Sequence, residues 1–257
     1  MIDQLWLILL GFIAGILGSM VGLGGGIIVV PVLTFLGFSP TAAASSSLFA
    51  ALSNAIASTI SYSKQKRIEF PLGLKLGLLT IPGTILGAII STDVTPEFFK
   101  ILFGLVLIAS AAYIFLRKKL ETKEKTLSSQ MMIFTVGTSF FAGIISAFFG
   151  IGGGIIFVPL MVIGMGMAMK KAAPTSQLIL LFSSLSGVIA HSMLGHPDFT
   201  HAGFLAIGSF FGGLVGARLS LEIKERYLQI LVTVIILIAA AKLFFDSVAD
   251  GFPLVGF

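Results

Sequence analysis

Charge and cysteine are what this chain has least of. It contains no cysteine in 257 residues, so disulfides, thiolate metal sites and cysteine nucleophiles are excluded. Only 11% of its residues are charged, against about a quarter in an ordinary soluble domain. Residues 4 to 63 hold no Asp, Glu, Lys, Arg or His, and a second uncharged run reaches from Thr126 to Met169. A helix needs about 20 apolar residues to cross the hydrocarbon of a bilayer, so the first run alone holds at least two passes. The longest polar stretch, Arg117 to Gln130, is too short to fold as a soluble domain. No His-Glu-x-x-His, no pair of intramembrane aspartates and no nucleophile beside a base is present, which argues against an enzyme and against any cofactor.

What is present is apolar surface. Hydrophobic residues make up 56% of the chain, and the mean hydropathy is +1.09. A multi-pass helical protein of the cell membrane follows, because unpaired backbone groups cannot face lipid. The net charge is +5, but the basic residues sit in short loops. That is the positive-inside pattern of a membrane protein and not a nucleic-acid surface. The start, Met1 to Gln4, lacks the positive region of a cleaved leader, so the first apolar segment is expected to be retained.

The chain is a duplication. Gly15, Gly22, Gly24, Gly25, Gly26, Ile27, Ile28 and Pro31 recur 128 positions later, in the second string ending at Pro159. After one inserted residue the offset is 129: Ser47 meets Ser176, Phe70 meets Phe199, and Gly83 and Gly87 meet Gly212 and Gly216. Turn and charge signals divide the first half into apolar segments at roughly 5–36, 41–62, 70–91 and 98–116. The second half divides at roughly 132–164, 172–194, 202–220 and 227–245. We expect a first transmembrane repeat over 1–116, a basic cytoplasmic linker over 117–130 and a second repeat over 131–257.

Loop charge bears on orientation. Lys64, Lys66 and Arg67 follow the second segment of half one, whereas half two carries Lys170, Lys171, Lys224 and Arg226 at the alternate positions. All face the cytoplasm only if the halves are inverted, the plan of many secondary transporters. Inversion needs an odd number of crossings per half. The first segment would be about 48 Å long as one helix, well beyond the hydrocarbon thickness. A break at Gly22–Gly26 that sends the chain back supplies the odd number, placing both termini outside with Asp246 and Asp250. A parallel repeat of four simple passes is the alternative.

The glycine clusters are neither a dinucleotide fingerprint, since Ile27 and Ile155 replace its third glycine, nor a P-loop, since no Lys-Ser or Lys-Thr follows. Adjacent glycines weaken a helix by about 1 kcal/mol each relative to alanine and free backbone groups that must face protein or a cavity. A helix restarting there aims its amides and positive dipole end inward. Candidate anion ligands are therefore Gly22, Gly24, Gly25 and Gly26 with Gly150, Gly152, Gly153 and Gly154. The side-chain donors Ser46, Ser47, Asn54, Thr175, Ser176 and Gln177 follow on the second segments. The plainer reading of both sets is close helix packing, which also covers Gly73, Gly77, Gly83, Gly87, Gly212 and Gly216. Lys75, Lys242 and Arg218 read as interfacial anchors. His191, His196 and His201 do not share a helical face, so no metal site is expected.

The doubled glycine–proline string at Gly22 to Pro31 and Gly150 to Pro159, followed by Ala44 to Ser47 and by Pro174 to Ser176, resembles the sulfite exporter TauE/SafE family of membrane transporters. The resemblance covers nearly the whole chain and implies export of small sulfur oxyanions or organosulfonates such as sulfite and sulfoacetate. Half two departs from half one at Gln177 and His191, where half one has Leu48 and Tyr62, which points to an asymmetric site. The expected function is alternating-access transport of a small anion, without cofactor or metal, in contact with lipid and compatible with a homo-oligomer. An anion channel, a metal or cation transporter and a structural membrane subunit stay open beside it.

Overall fold

A computed structural model describes residues 4–116 and 129–222, with 234, 237, 238, 240 and 241. Residues 117–128 of the expected linker at 117–130, nearly all of the segment at 227–245, and Lys224, Arg226, Lys242, Asp246 and Asp250 lie outside the described residues. Among those described, every element is helical. α1 spans Leu5–Val21, α2 Gly26–Phe35, α3 Pro40–Lys64, α4 Phe70–Ile90, α5 Pro96–Leu116 and α6 Ser129–Phe149. α7 spans Gly154–Pro159 and continues as a π-helical turn, Leu160–Gly164. α8 spans Met169–Met193 and α9 Phe199–Leu219. Four helical stretches, Pro40–Lys64, Phe70–Asp93, Met169–Met193 and Phe199–Leu219, are long and apolar enough to cross a membrane.

The helix ends are written locally. Ser39 caps α3 by accepting from the Ala42 amide, with Pro40 at the first helical position, where its missing N–H costs nothing. Asp198 caps α9 by accepting from Thr200 and His201. Five described helices stop in the same left-handed turn, closed by an amide that reaches back five residues. The closing bonds are Leu23 to Gly18, Phe38 to Leu33, Arg67 to Tyr62, Ile151 to Ser146 and His196 to His191, at 3.0–3.2 Å. The left-handed residue is Gly22, Gly37, Lys66, Gly150 or Gly195; Lys66 is the one non-glycine with positive φ among the described residues.

Glycine faces set the packing. α1 runs beside α9 in the same direction, because Gly208, Gly212 and Gly216 lie against the backbone oxygens of Ile8, Phe12 and Ile16. α4 and α6 repeat that arrangement, with Gly83 and Gly87 against the oxygens of Phe140 and Ile144. Such approach leaves no room for a Cβ and suits Cα–H···O contacts. α3 and α8 lie between these pairs and run antiparallel: Arg67, just past α3, donates to the Lys170 carbonyl at the start of α8 at 2.9 Å. They are the most enclosed of the four candidate spans. α5 docks through Phe99 and Phe103 onto Phe148 and Phe149 at the end of α6. Leu74, Leu78, Ile85, Ile89, Ile207 and Phe211 are exposed and form the apolar exterior of α4 and α9.

The two ends of the bundle differ. At one end Arg67 also donates to Ser220 Oγ at 2.9 Å, and Lys171 pairs with Glu69 at 2.6 Å. Lys64, Lys66, Arg67, Lys170, Lys171 and Arg218 therefore gather there. At the other end Phe38 meets His201 edge-on at 5.0 Å, His201 pairs with Asp198 at 2.6 Å, and the Ser91–Asp93 turn lies near His196.

Candidate functional site

α1 ends at Val21, and the chain doubles back so that Gly25 comes against Ala14 before α2 begins at Gly26. α6 behaves alike, Gly153 standing near Ala142 and Ser146 before α7. The two connecting loops cross each other. A Cβ on Gly26 would collide with the Gly150 carbonyl and lie 2.6 Å from Ile151 Cα. A Cβ on Gly154 would collide with the Gly22 carbonyl and lie 2.7 Å from Leu23 Cα. Gly22, Gly24, Gly150, Gly152 and Gly153 hold φ between +71° and +87°, a region that side chains disfavour.

The side-chain donors of α3 and α8 go to carbonyls around these loops. Ser47 donates to Gly150 O at 2.8 Å and Ser176 to Gly22 O at 2.7 Å, each reaching the other half's loop. Gln177 Nε2 donates to Gly18 O at 3.0 Å, and Ser183 to Gly152 O at 2.6 Å. Tyr62 donates to Ser19 O at 2.9 Å, and the ring of His191 to Ala147 O at 3.0 Å. The amides show the opposite. Those of Gly24, Gly25, Gly26 and Ile27, and of Gly152, Gly153, Gly154 and Ile155, find no acceptor among the described residues. All eight residues are buried. A buried amide without a partner costs about 1–3 kcal/mol, so this cluster needs an acceptor from elsewhere.

The other expected ligands divide. Ser46 Oγ and Asn54 Nδ2 are buried without a partner, as are Gln177 Oε1, Ser146 Oγ and Ser184 Oγ. Asn54 Oδ1 accepts from Ser58 at 3.0 Å. Thr175 stands apart from the crossing: its hydroxyl accepts from the Glu69 amide at 3.0 Å and fixes the start of α4. Leu180, which the sequence reading did not single out, reaches both loops, its Cδ2 standing 2.6 Å from a Cβ built on Gly24 and 3.1 Å from one on Gly152. A small apolar cleft lined by Leu17, Gly18, Leu23, Gly24, Ile27 and Ile28 opens beside the first loop. No ionisable side chain belongs to the crossing itself, so its field is that of oriented amides and helix ends.

The histidines differ from expectation. Their spacing does not share a helical face, yet the left-handed Gly195 folds His196 back onto His191, Nδ1 to Nδ1 at 2.8 Å. His201 is not part of that pair. Groups of three or more His, Asp or Glu able to hold a metal are absent among the described residues.

A family model described as Sulfite exporter TauE/SafE matches residues 7–243. The chain is 28% identical to a probable membrane transporter protein of Bacillus subtilis, over 94% of this chain and 97% of that one. It is 28% identical to a probable membrane transporter protein of Methanocaldococcus jannaschii, over 90% and 91%. A probable membrane transporter protein of Escherichia coli is 24% identical, over 94% and 89%. No solved structure matches the chain.

Proposed function

Because the chain belongs to the sulfite exporter TauE/SafE family, we propose that it is a multi-pass transporter of a small anion, a sulfur oxyanion or organosulfonate, working by alternating access. The observation that carries this reading is the asymmetry at the loop crossing. Donors from both halves are used on carbonyls, while the amides of residues 24–27 and 152–155 keep no acceptor. Such a place presents net positive potential without a buried cation, as helix N-termini do for phosphate and sulfate. Gly22, Gly24, Gly25, Gly26, Gly150, Gly152, Gly153 and Gly154 form the cradle. Ser46 Oγ keeps an unpartnered donor on the same α3 turn as Ser47, while Asn54 lies two turns on, against Gly213 of α9. Ser47, Ser176 and Gln177 hold the carbonyls away from the anion, and Thr175 supports the α3–α4 turn.

Alternating access rests on the inverted reading of the repeat. The reciprocal pairings α1 with α9 and α4 with α6, and the antiparallel α3 and α8, are what two oppositely oriented units would make. The basic end then faces the cytoplasm of a plasma-membrane protein. Breaking the Ser47 and Ser176 bonds in turn would let one half rock on the other around a fixed site.

Thermal unfolding of the detergent-purified protein against sulfite, sulfate, thiosulfate, sulfoacetate, taurine, acetate, chloride and nickel tests the ligand class. A ligand of the folded state stabilises by about 2.7 kcal/mol at one hundred times its dissociation constant. A selective shift with sulfur anions is expected. A shift with nickel alone, or with acetate and none of the sulfur compounds, would overturn the assignment. Saturable counterflow in vesicles then separates a carrier from a channel.

A further inference from the structure

His191 and Tyr62 stand 129 positions apart, as do His196 and Arg67. Each pair closes a helix end in the same way. Arg67 lies over the Tyr62 ring at 5.1 Å, and Tyr62 holds Ser19 O. His196 lies on His191 with ring centroids 5.0 Å apart, and His191 holds Ala147 O. Ser19 and Ala147 each sit three residues before the glycine that opens a break, Gly22 or Gly150. One mouth thus carries a permanent cation on a phenol. The other carries two titratable rings.

The bonds fix the tautomers. A carbonyl only accepts, so His191 Nε2 carries hydrogen and its Nδ1 accepts from His196 Nδ1–H. His196 Nε2 is left facing Thr92 Oγ1 at 3.5 Å. His196 is half-buried and within reach of water, whereas His191 is enclosed. A proton arriving at His196 Nε2 lets the Nδ1 proton pass to His191 Nδ1. The charge then sits on His191, and the proton count balances.

We propose that the His191–His196 pair is the proton-binding element of the transport cycle, and that its proton and the anion in the glycine cradle bind cooperatively. Among the described residues no carboxylate contacts His191, so an imidazolium enclosed there has no counterion among them. α6 carries no ionisable residue, α4 carries only Lys75 towards the basic end, the turn after α4 carries Asp93, α5 carries Glu97 and Lys100, and the start of α9 carries Asp198, which pairs with His201. α3 carries only Lys64, at the basic end. Burial holds His196 below the usual histidine range, so the unliganded pair stays neutral at neutral pH. An anion at the Gly150–Gly154 loop, three residues along the chain from the carbonyl that His191 holds, supplies the missing charge. By linkage each ligand then raises the affinity of the other by the same factor.

This rests on the anion reading, so the test has two arms. In the first, calorimetry on the purified full chain with sulfate and methanesulfonate, whose charge is constant from pH 5.5 to 8, reads proton uptake from the buffer dependence of the heat. The wild type is expected to take up close to one proton near pH 6 and to bind about tenfold tighter for each unit of acidification there. His191→Gln keeps a donor for Ala147 and is expected to lose both effects. Unchanged uptake and slope in that variant would overturn the proposal. The second arm needs no ligand. The native chain has no cysteine, so Ser146→Cys gives a single thiol beside Ala147. Acidification should speed its labelling several-fold more with His191 than in the His191→Gln background, whose rate cancels the reagent's own pH dependence. Equal profiles would refute the pair as a proton-responsive element. A pH-dependent labelling difference with no anion binding would instead refute the cradle and the cooperativity.

Discussion

Gly26 and Gly154 are the positions where one methyl group decides whether the two halves can cross. Each backbone passes so close to the other loop that an added Cβ strikes a carbonyl oxygen, and neither neighbour is a side chain that could rotate away. Gly26→Ala and Gly154→Ala are therefore expected to cost several kcal/mol, in the range of severe overpacking, and to abolish transport. Gly203, on the open face of α9, has nothing within 4 Å. Gly203→Ala should gain up to about 1 kcal/mol from helix propensity. Thermal unfolding in detergent compares all three. The recurring glycine string marked both clusters in the sequence, but not that each meets the other. Ser47 and Ser176 were legible as equivalent residues, whereas their acceptors lie 103 and 154 residues away, beyond any local pattern. His196 makes a further residue-scale prediction. With its folded value depressed by burial, both states are neutral above about pH 6.5. As pH falls below that, the unfolded chain takes the proton first, so stability declines until the folded value is passed. Tm should drop as pH falls below about 6.5 in the absence of anion, and His196→Asn should flatten that part of the profile.

Elements were far more legible than contacts. The expected segments at 41–62, 70–91, 172–194 and 202–220 correspond to α3, α4, α8 and α9 within a few residues, because each is bounded by a cap, a glycine turn or a charge. The histidine contact was missed for the same reason that the boundary was found. Gly195 ends α8, and that turn brings the residue two past the cap back over the last full turn of helix. Which helix faces which was legible only as small-residue stripes. Gly83 and Gly212 announce a close neighbour without naming it. Since those stripes lie backbone to backbone against α6 and α1, Gly83→Val and Gly212→Val should force the helices apart, lowering the yield of monodisperse protein and Tm together. Ile207→Val, on the exposed face of α9, should change neither by more than about 0.5 kcal/mol. If the glycine variants behaved like Ile207→Val, backbone contact would not be what joins α4 to α6 or α1 to α9.

At the scale of the whole molecule, the proposed inverted topology draws on the charged loops and the helix directions together. The α3–α4 loop with Lys66 and Arg67 sits at the end shared with Lys170 and Ser220, whereas the α8–α9 loop with Pro197 sits at the end shared with Thr92 and Phe38. These loops occupy equivalent places in the two halves of the sequence, so their separation to opposite ends is what an inverted pair of units requires and what a parallel pair forbids. Placing six basic residues on the outer side would oppose the positive-inside bias, so the proposed orientation puts the basic end inward. The absence of native cysteine makes the prediction direct. Lys66→Cys and Leu194→Cys each introduce one exposed thiol at a connecting turn, away from the crossing. In intact cells a membrane-impermeant maleimide should label the variant at 194 and spare the variant at 66; inverted vesicles should reverse the result. Labelling of both from one side would require the two loops to share a membrane face. That would contradict the antiparallel packing of α3 and α8, and with it any cycle in which two opposed halves rock about a central anion.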